Sequence, residues 1–123
     1  MPVTTARDAA NLLGQLFADA EREGVAALYV GHEGALLAID EFDGETDGAA
    51  LPIRAILRRA LNLGSQGLVI AHNHPSVDPN PSAADITATR RLAIACEALE
   101  IALHDHLIFA GGGCESFRRL GLL

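Results

Sequence analysis

The side chains best suited to chemistry are concentrated in Ala71–Asp85, which reads A-H-N-H-P-S-V-D-P-N-P-S-A-A-D. His72 and His74 stand one residue apart, the proline-rich loop Pro75–Pro81 follows, and Ser82 and Asp85 close the stretch. Two imidazoles and a carboxylate, with one coordination position left open, are the ligand set of a catalytic zinc site. Such a site needs both histidines on one side of the chain and a carboxylate delivered from another element. Gly67–Ala71 (G-L-V-I-A) is a short apolar run of the kind that forms a buried strand. His-x-His therefore sits where a strand ends, and the period of two along a strand turns both rings the same way. Helical spacing begins after Pro81, which puts Asp85 in the first turn of a helix entering beside them. Ser82-x-x-Asp85 is also a capping box, in which the serine satisfies helix amides and the acid reaches back. The two roles are compatible if Ser82 caps the helix while Asp85 turns outward.

The elements that must position these residues follow from periodicity and punctuation. Thr4 or Thr5 can cap a helix running to about Arg22, with Leu12, Leu13, Leu16 and Phe17 as its apolar stripe. Val25–Val30 and Ala35–Ile39 read as two strands joined by the hairpin turn G-H-E-G. Asp40–Ala50, acidic and Gly-containing, is expected to be a loop. Pro52 opens a second helix, with Ile53, Ile56, Leu57, Ala60 and Leu61 on one face and Arg54, Arg58 and Arg59 on the other. The third helix spans about Ala83–Leu99, and a last strand, Ala102–Phe109, reaches the turn Gly111-Gly112-Gly113. Ser116–Leu123 is expected to pack back as a short turn or helical piece. The expected fold class is α+β: one mixed β-sheet of four or more strands flanked by helices, in a single domain over residues 1–123, with the site at a strand's carboxyl end.

Composition narrows the function classes. A chain of 123 residues, half of them hydrophobic, can bury one core and is globular, not disordered. No apolar run approaches the length of a membrane span, and residues 1–20 carry Arg7, Asp8 and Asp19 in place of a secretory core. A cytoplasmic location is expected. Cys96 and Cys114 have no C-x-x-C partner, which speaks for free thiols in a reducing compartment and against a cysteine zinc site. Acidic residues outnumber basic ones 16 to 9, there is no lysine, and the net charge is −7. Binding to nucleic acid rests on cations that neutralise phosphates, so this balance disfavours it.

Two further groups carry titratable side chains. In His104-Asp105-His106, simple alternation would set both histidines on one face and Asp105 on the other. His32 falls in the hairpin turn, and Asp78 reads as a turn residue of the proline loop.

The spacing His-x-His, seven residues, Ser, two residues, Asp resembles the JAMM (JAB/MPN) metalloenzymes. H-N-H-P-S, P-S-x-x-D, T-R-R-L and D-H-L-I, in that order, resemble the RadC-type bacterial branch, over nearly the whole chain. The resemblance implies a three-layer fold like that of cytidine deaminases, with Zn2+ held by His72, His74 and Asp85. It implies that Ser82 helps to stabilise the oxyanion of a tetrahedral intermediate. It also implies a catalytic glutamate upstream, at the start of the strand beside the one ending in His-x-His. Glu23, Glu33, Glu41 and Glu45 are the candidates, and Glu23, followed at once by G-V-A-A-L-Y-V, has the right form. In RadC-type proteins an Asp-His pair recurs where Asp105-His106 stands, which implies a role near the cleft. This sequence departs from the branch in having Val77 where a glycine is common. It also lacks the helical, DNA-binding-like region usual at the N-terminus of full-length RadC-type proteins.

The reading that results is a zinc-dependent hydrolase acting on a peptide or isopeptide-linked protein substrate. Its rival is a non-catalytic module, associated with DNA repair or binding a partner, that keeps the metal as a structural feature. A zinc nucleoside deaminase would need H-x-E and P-C-x-x-C, and neither is present. A homo-oligomer or a partner protein completing the binding surface is left open.

Overall fold

A computed structural model describes residues 3, 5–17, 24–43, 51–75 and 78–123. Helix α1 (Ala6–Phe17) precedes strands β1 (Gly24–Val30) and β2 (Leu36–Asp43), and helix α2 (Ile53–Leu63) leads into β3 (Gly67–Asn73). Helix α3 (Ala83–Ala98), β4 (Ala102–Ala110) and β5 (Gly113–Ser116) complete the order. Among the described residues the strands form one sheet in the order β2-β1-β3-β4-β5. Only β3 and β4 run parallel, joined by the α3 crossover that such a pair requires; the other pairs are antiparallel.

Both faces of the sheet are covered, which makes three layers. Val25, Ala27 and Tyr29 of β1, with Leu68 and Ile70 of β3, pack under Ile56 and Ala60 of α2 and Leu92 and Cys96 of α3. The alternate residues, Ala26, Leu28 and Val30 with Val69 and Ala71, pack under Ala9 and Leu13 of α1. Every residue of β3 is buried, as expected of a central strand with a near-continuous apolar sequence. The α+β class, the mixed sheet and the position of His72 and His74 at the carboxyl end of β3 all agree with the sequence.

Local chemistry sets the helix ends. Thr5 caps α1: its hydroxyl accepts from the Asp8 amide at 3.1 Å, and the Asp8 carboxylate accepts from the Thr5 amide at 3.2 Å. Gly64 ends α2 in the left-handed region at φ 65°, which a residue with a Cβ adopts at a cost. Gly14 lets α1 approach β4, where an added Cβ would lie 3.3 Å from the Phe109 ring.

Two expectations need correction, and one strand was not foreseen. The segment read as an acidic loop from Asp40 begins as strand: β2 continues to Asp43, with Asp40, Glu41 and Phe42 paired to Ala27, Ala26 and Val25. Its polar residues suit an edge strand, so composition disguised it. The glycine turn reverses the chain and pairs Gly113–Ser116 with Leu107–Ala110 as a short strand, β5, that was not expected, and the tail beyond it forms the turns expected of Ser116–Leu123. The alternation expected for His104-Asp105-His106 also fails. Along the β3–β4 ladder Leu68 faces Leu103 and Val69 faces Asp105, so His104 is the extra residue of a bulge. His104 and Asp105 line a cavity under α1, and His106 turns to the opposite face, toward α3.

Asp105 anchors the C-terminal segment. Its buried carboxylate accepts from the His106 amide at 2.8 Å, the Arg118 amide at 3.0 Å and the Ser116 hydroxyl at 2.5 Å. An orphaned buried donor costs about 1–3 kcal/mol. Asp105→Ala is therefore expected to lower unfolding free energy by at least about 2 kcal/mol in urea denaturation. A loss within about 0.5 kcal/mol would show that the anchor is not needed.

Candidate metal centre

The end of β3 is pinned on both sides. On one, the Gly24 amide at the start of β1 donates to Asn73 Oδ1 at 2.7 Å. On the other, the His74 amide donates to the Phe109 carbonyl of β4 at 2.8 Å. Between these ties the two imidazoles share a side, with ring centroids 4.7 Å apart and their Nε2 atoms 2.9 Å apart. The helix that starts at Ser82 brings Asp85 to the same point: its carboxylate oxygens lie 3.5 Å from His72 Nε2 and 3.2 Å from His74 Nε2. His72, His74 and Asp85 thus each offer a ligand atom, all within 4.8 Å of one another, and form a group that could hold a metal ion.

Asp85 serves the helix as well. Its Oδ2 accepts from the Ser82 amide at 2.8 Å, and the Ser82 hydroxyl accepts from the Asp85 amide at 3.0 Å. The capping box and a carboxylate turned toward the two histidines coexist in one residue. Burial works against the Asp85 charge; in the metal-free state a protonated His72 that donates to it, together with the Ser82 amide and hydroxyl, outweighs burial. The carboxyl is held well below the ordinary carboxylate range. It is a charged ligand even in mild acid.

The far sides of the imidazoles decide what their near sides present. His74 Nδ1 lies 3.1 Å from the Asp78 carbonyl, which can only accept, so Nδ1 carries the proton and Nε2 a lone pair. His72 Nδ1 meets His106 Nε2 at 2.6 Å. With its ring proton on Nδ1, His72 likewise turns a lone pair inward. Two lone pairs and a carboxylate that face one another at these distances repel unless a positive charge sits among them. The donor set fits a metal cation, and nitrogen and oxygen donors in this ratio suit zinc-class ions.

The other residues singled out in the sequence separate clearly. Glu23 and Glu45 lie outside the described residues. Glu33 is exposed in a turn with φ 55°, beside His32, and Glu41 is exposed on β2. Asp78 accepts from the Asn80 amide at 3.0 Å, as a turn residue does. Cys96 is buried and Cys114 exposed, and both are free thiols. Sequence reasoning passed over Asn73, which ties two strands, and Thr89, which reads as an ordinary helical residue. His106 is buried behind His72, stacked at 4.5 Å on Phe117. Burial, aided by His72 whenever that ring is charged, pushes the His106 imidazole well below its ordinary value, with Asp85 opposing, so it is neutral. Beside His74 a cleft of about 560 Å³ opens, walled by Phe17, Asn73, Phe109, Cys114 and the glycine turn.

A three-layer α+β domain with two histidines at a strand end and a carboxylate on the next helix is the architecture of a JAB/MPN-type protein. The chain belongs to the RadC-like JAB domain family, whose family model matches residues 3–122. It is similar to curated bacterial proteins named UPF0758. Identity is 43% over 101 residues with one from Acidithiobacillus ferrooxidans, covering 81% of this chain and 45% of that protein. It is 41% over 104 residues with one from Ruegeria pomeroyi, covering 84% and 46%. UPF0758 protein YfjY of Escherichia coli K12 is 36% identical over 121 residues, covering 98% of this chain and 76% of that protein. The chain thus spans a little under half the length of the first two relatives. No helix among the described residues is long and apolar enough to cross a membrane.

Cys114 is exposed at the surface, but the protein packed around one side of its thiol, with the Asp105 and Glu115 charges, pushes that thiol up to about 11, against the pull of Arg119. A raised pKa keeps the reactive thiolate scarce at neutral pH. Alkylation of the folded protein by iodoacetamide, followed by mass spectrometry, is expected to stay slow at Cys114 until the pH approaches 11. Rapid labelling of Cys114 at pH 7 would contradict this placement.

Proposed function

We propose that this chain is a zinc-dependent hydrolase of the JAMM type, cleaving a peptide or isopeptide bond with water. The observation that carries the reading is the convergence of His72, His74 and Asp85, whose ligand atoms all lie within 4.8 Å of one another. In this reading the three residues hold Zn2+. Bound there, zinc would polarise a carbonyl and lower the pKa of a water toward about 7. Glu23 takes the proton from the attacking water as general base and returns it to the leaving amine as general acid. Glu23 directly precedes Gly24, whose amide is fixed to Asn73 between the two histidines, and this supports a carboxylate delivered at that end of the sheet. Ser82 stabilises the oxyanion; its oxygen accepts from the Asp85 amide, and its proton would turn from the Asp85 carboxylate to the oxyanion.

Substrate lies in the cleft beside His74, with Phe17 and Phe109 offering apolar contact and the glycine turn offering backbone groups. The peptide or isopeptide class rests on family analogy. A protein substrate fits the acidic balance of the chain better than nucleic acid does. Two unpaired cysteines support a reducing compartment, the cytoplasm.

Elemental mass spectrometry of the purified chain tests the metal half of the proposal. About one zinc per chain is expected in the wild type and near none in a folded His74→Ala variant. No zinc in the wild type, even after reconstitution, would overturn the reading. For the catalytic half, Glu23→Gln should keep zinc yet lose about 10²–10⁴-fold in hydrolysis of peptide and isopeptide substrates. Full activity in Glu23→Gln would remove Glu23 from the mechanism. Hydrolysis by neither protein would favour the non-catalytic, partner-binding alternative.

A further inference from the structure

Behind His72 runs a chain of short contacts that the proposed chemistry does not use. The Thr89 hydroxyl lies 2.8 Å from the Asp85 carbonyl, one helical turn back on α3, and 2.7 Å from His106 Nδ1. His106 Nε2 lies 2.6 Å from His72 Nδ1. Thr89 and His106 are almost fully buried, so water cannot substitute for these partners. Each link has one proton to give, and the order of donation can be worked out from the end that has no choice.

That end is the Asp85 carbonyl, which can only accept. The single Thr89 proton therefore goes to it; otherwise two acceptor oxygens would face each other at 2.8 Å with nothing between them. Having given its proton away, the hydroxyl must accept from His106, which puts the His106 proton on Nδ1 and leaves Nε2 bare. His106 Nε2 must then accept from His72 Nδ1. The His72 proton is thereby held on the side away from Asp85 and His74, and its Nε2 lone pair is directed at them. We infer that Thr89 and His106 are positioning residues, forming a directional hydrogen-bond relay that fixes the tautomer and ring angle of His72 for metal binding. The stack of His106 on Phe117, tilted by only 9°, holds the ring in the plane the relay needs. Asp85 anchors both ends of the arrangement: its carboxylate faces the site and its carbonyl sets the relay's direction.

The metal part of this inference rests on the proposed zinc site, whereas the tautomer part does not, and the tests separate the two. Nitrogen-15 NMR of the metal-free wild type reads the His106 ring directly. A protonated Nδ1 and bare Nε2 are expected, and the reverse would overturn the relay whether or not the chain binds zinc. For the metal part, zinc affinity is measured by chelator competition. Thr89→Val keeps the shape of the side chain and removes the hydroxyl, and it is expected to weaken zinc binding about 10–100-fold. Thr89→Ser returns the hydroxyl and should recover most of that loss, which a purely packing role for the threonine would not produce. Unchanged affinity in a folded Thr89→Val, or failure of Thr89→Ser to recover it, would overturn the positioning role. If Thr89→Val does not fold, His106→Gln, which can still accept from His72, should bind zinc better than His106→Leu; equal affinities would overturn the role.

Discussion

Mutual repulsion among three inward-facing donors is the constraint on which the rest of this molecule depends. His72, His74 and Asp85 place lone pairs and a negative charge within 4.8 Å of one another, mostly out of contact with water. Coulomb repulsion at such distances in a partly dry site is large enough to push the groups apart unless something opposes it. Two things can: a framework too rigid to relax, and a cation that would convert repulsion into binding. A ligand that binds only the folded state adds its binding free energy to stability, so a metal held by this donor set would couple its uptake to the integrity of the fold.

The framework is built from elements that could not be placed otherwise. The central strand β3 is buried on both faces and tied at its carboxyl end to its neighbours on either side, through Asn73 and through the His74 amide. The α3 crossover needed to join the parallel pair β3 and β4 begins beside that end. Its first turn has amides to satisfy, and the Ser82–Asp85 capping box satisfies them. The same aspartate can therefore contribute to helix stability and present its charge to the histidines. Placing the site on a strand end and a helix start, with a proline-rich loop between, keeps the donors on rigid elements.

Much of this was legible in the sequence because it follows from local period. The strand alternation that pairs His72 with His74, and the spacing that puts Asp85 in a first helical turn, are properties of a few neighbouring residues. What escaped is non-local. The bulge at His104 reverses the facing of His106, and it arises from register against β3, which no stretch of the chain encodes alone. The last residues of β2 carry the acidic composition of a loop and are strand because β1 pairs with them. Thr89 gains its role only once α3 packs on β4, and Asn73 only once β1 arrives beside it. Glu23, assigned by its place before a strand, lies outside the described residues, and its role rests on sequence and proposal.

X-ray absorption at the zinc edge of the loaded protein tests whether these three side chains form a zinc centre with a position left open. Such a centre gives nitrogen and oxygen neighbours at about 2.0–2.2 Å, two of them imidazoles, in four-fold coordination that includes one non-protein oxygen. Sulfur neighbours at about 2.3 Å, or a spectrum unchanged by His74→Ala, would place the metal elsewhere and contradict it.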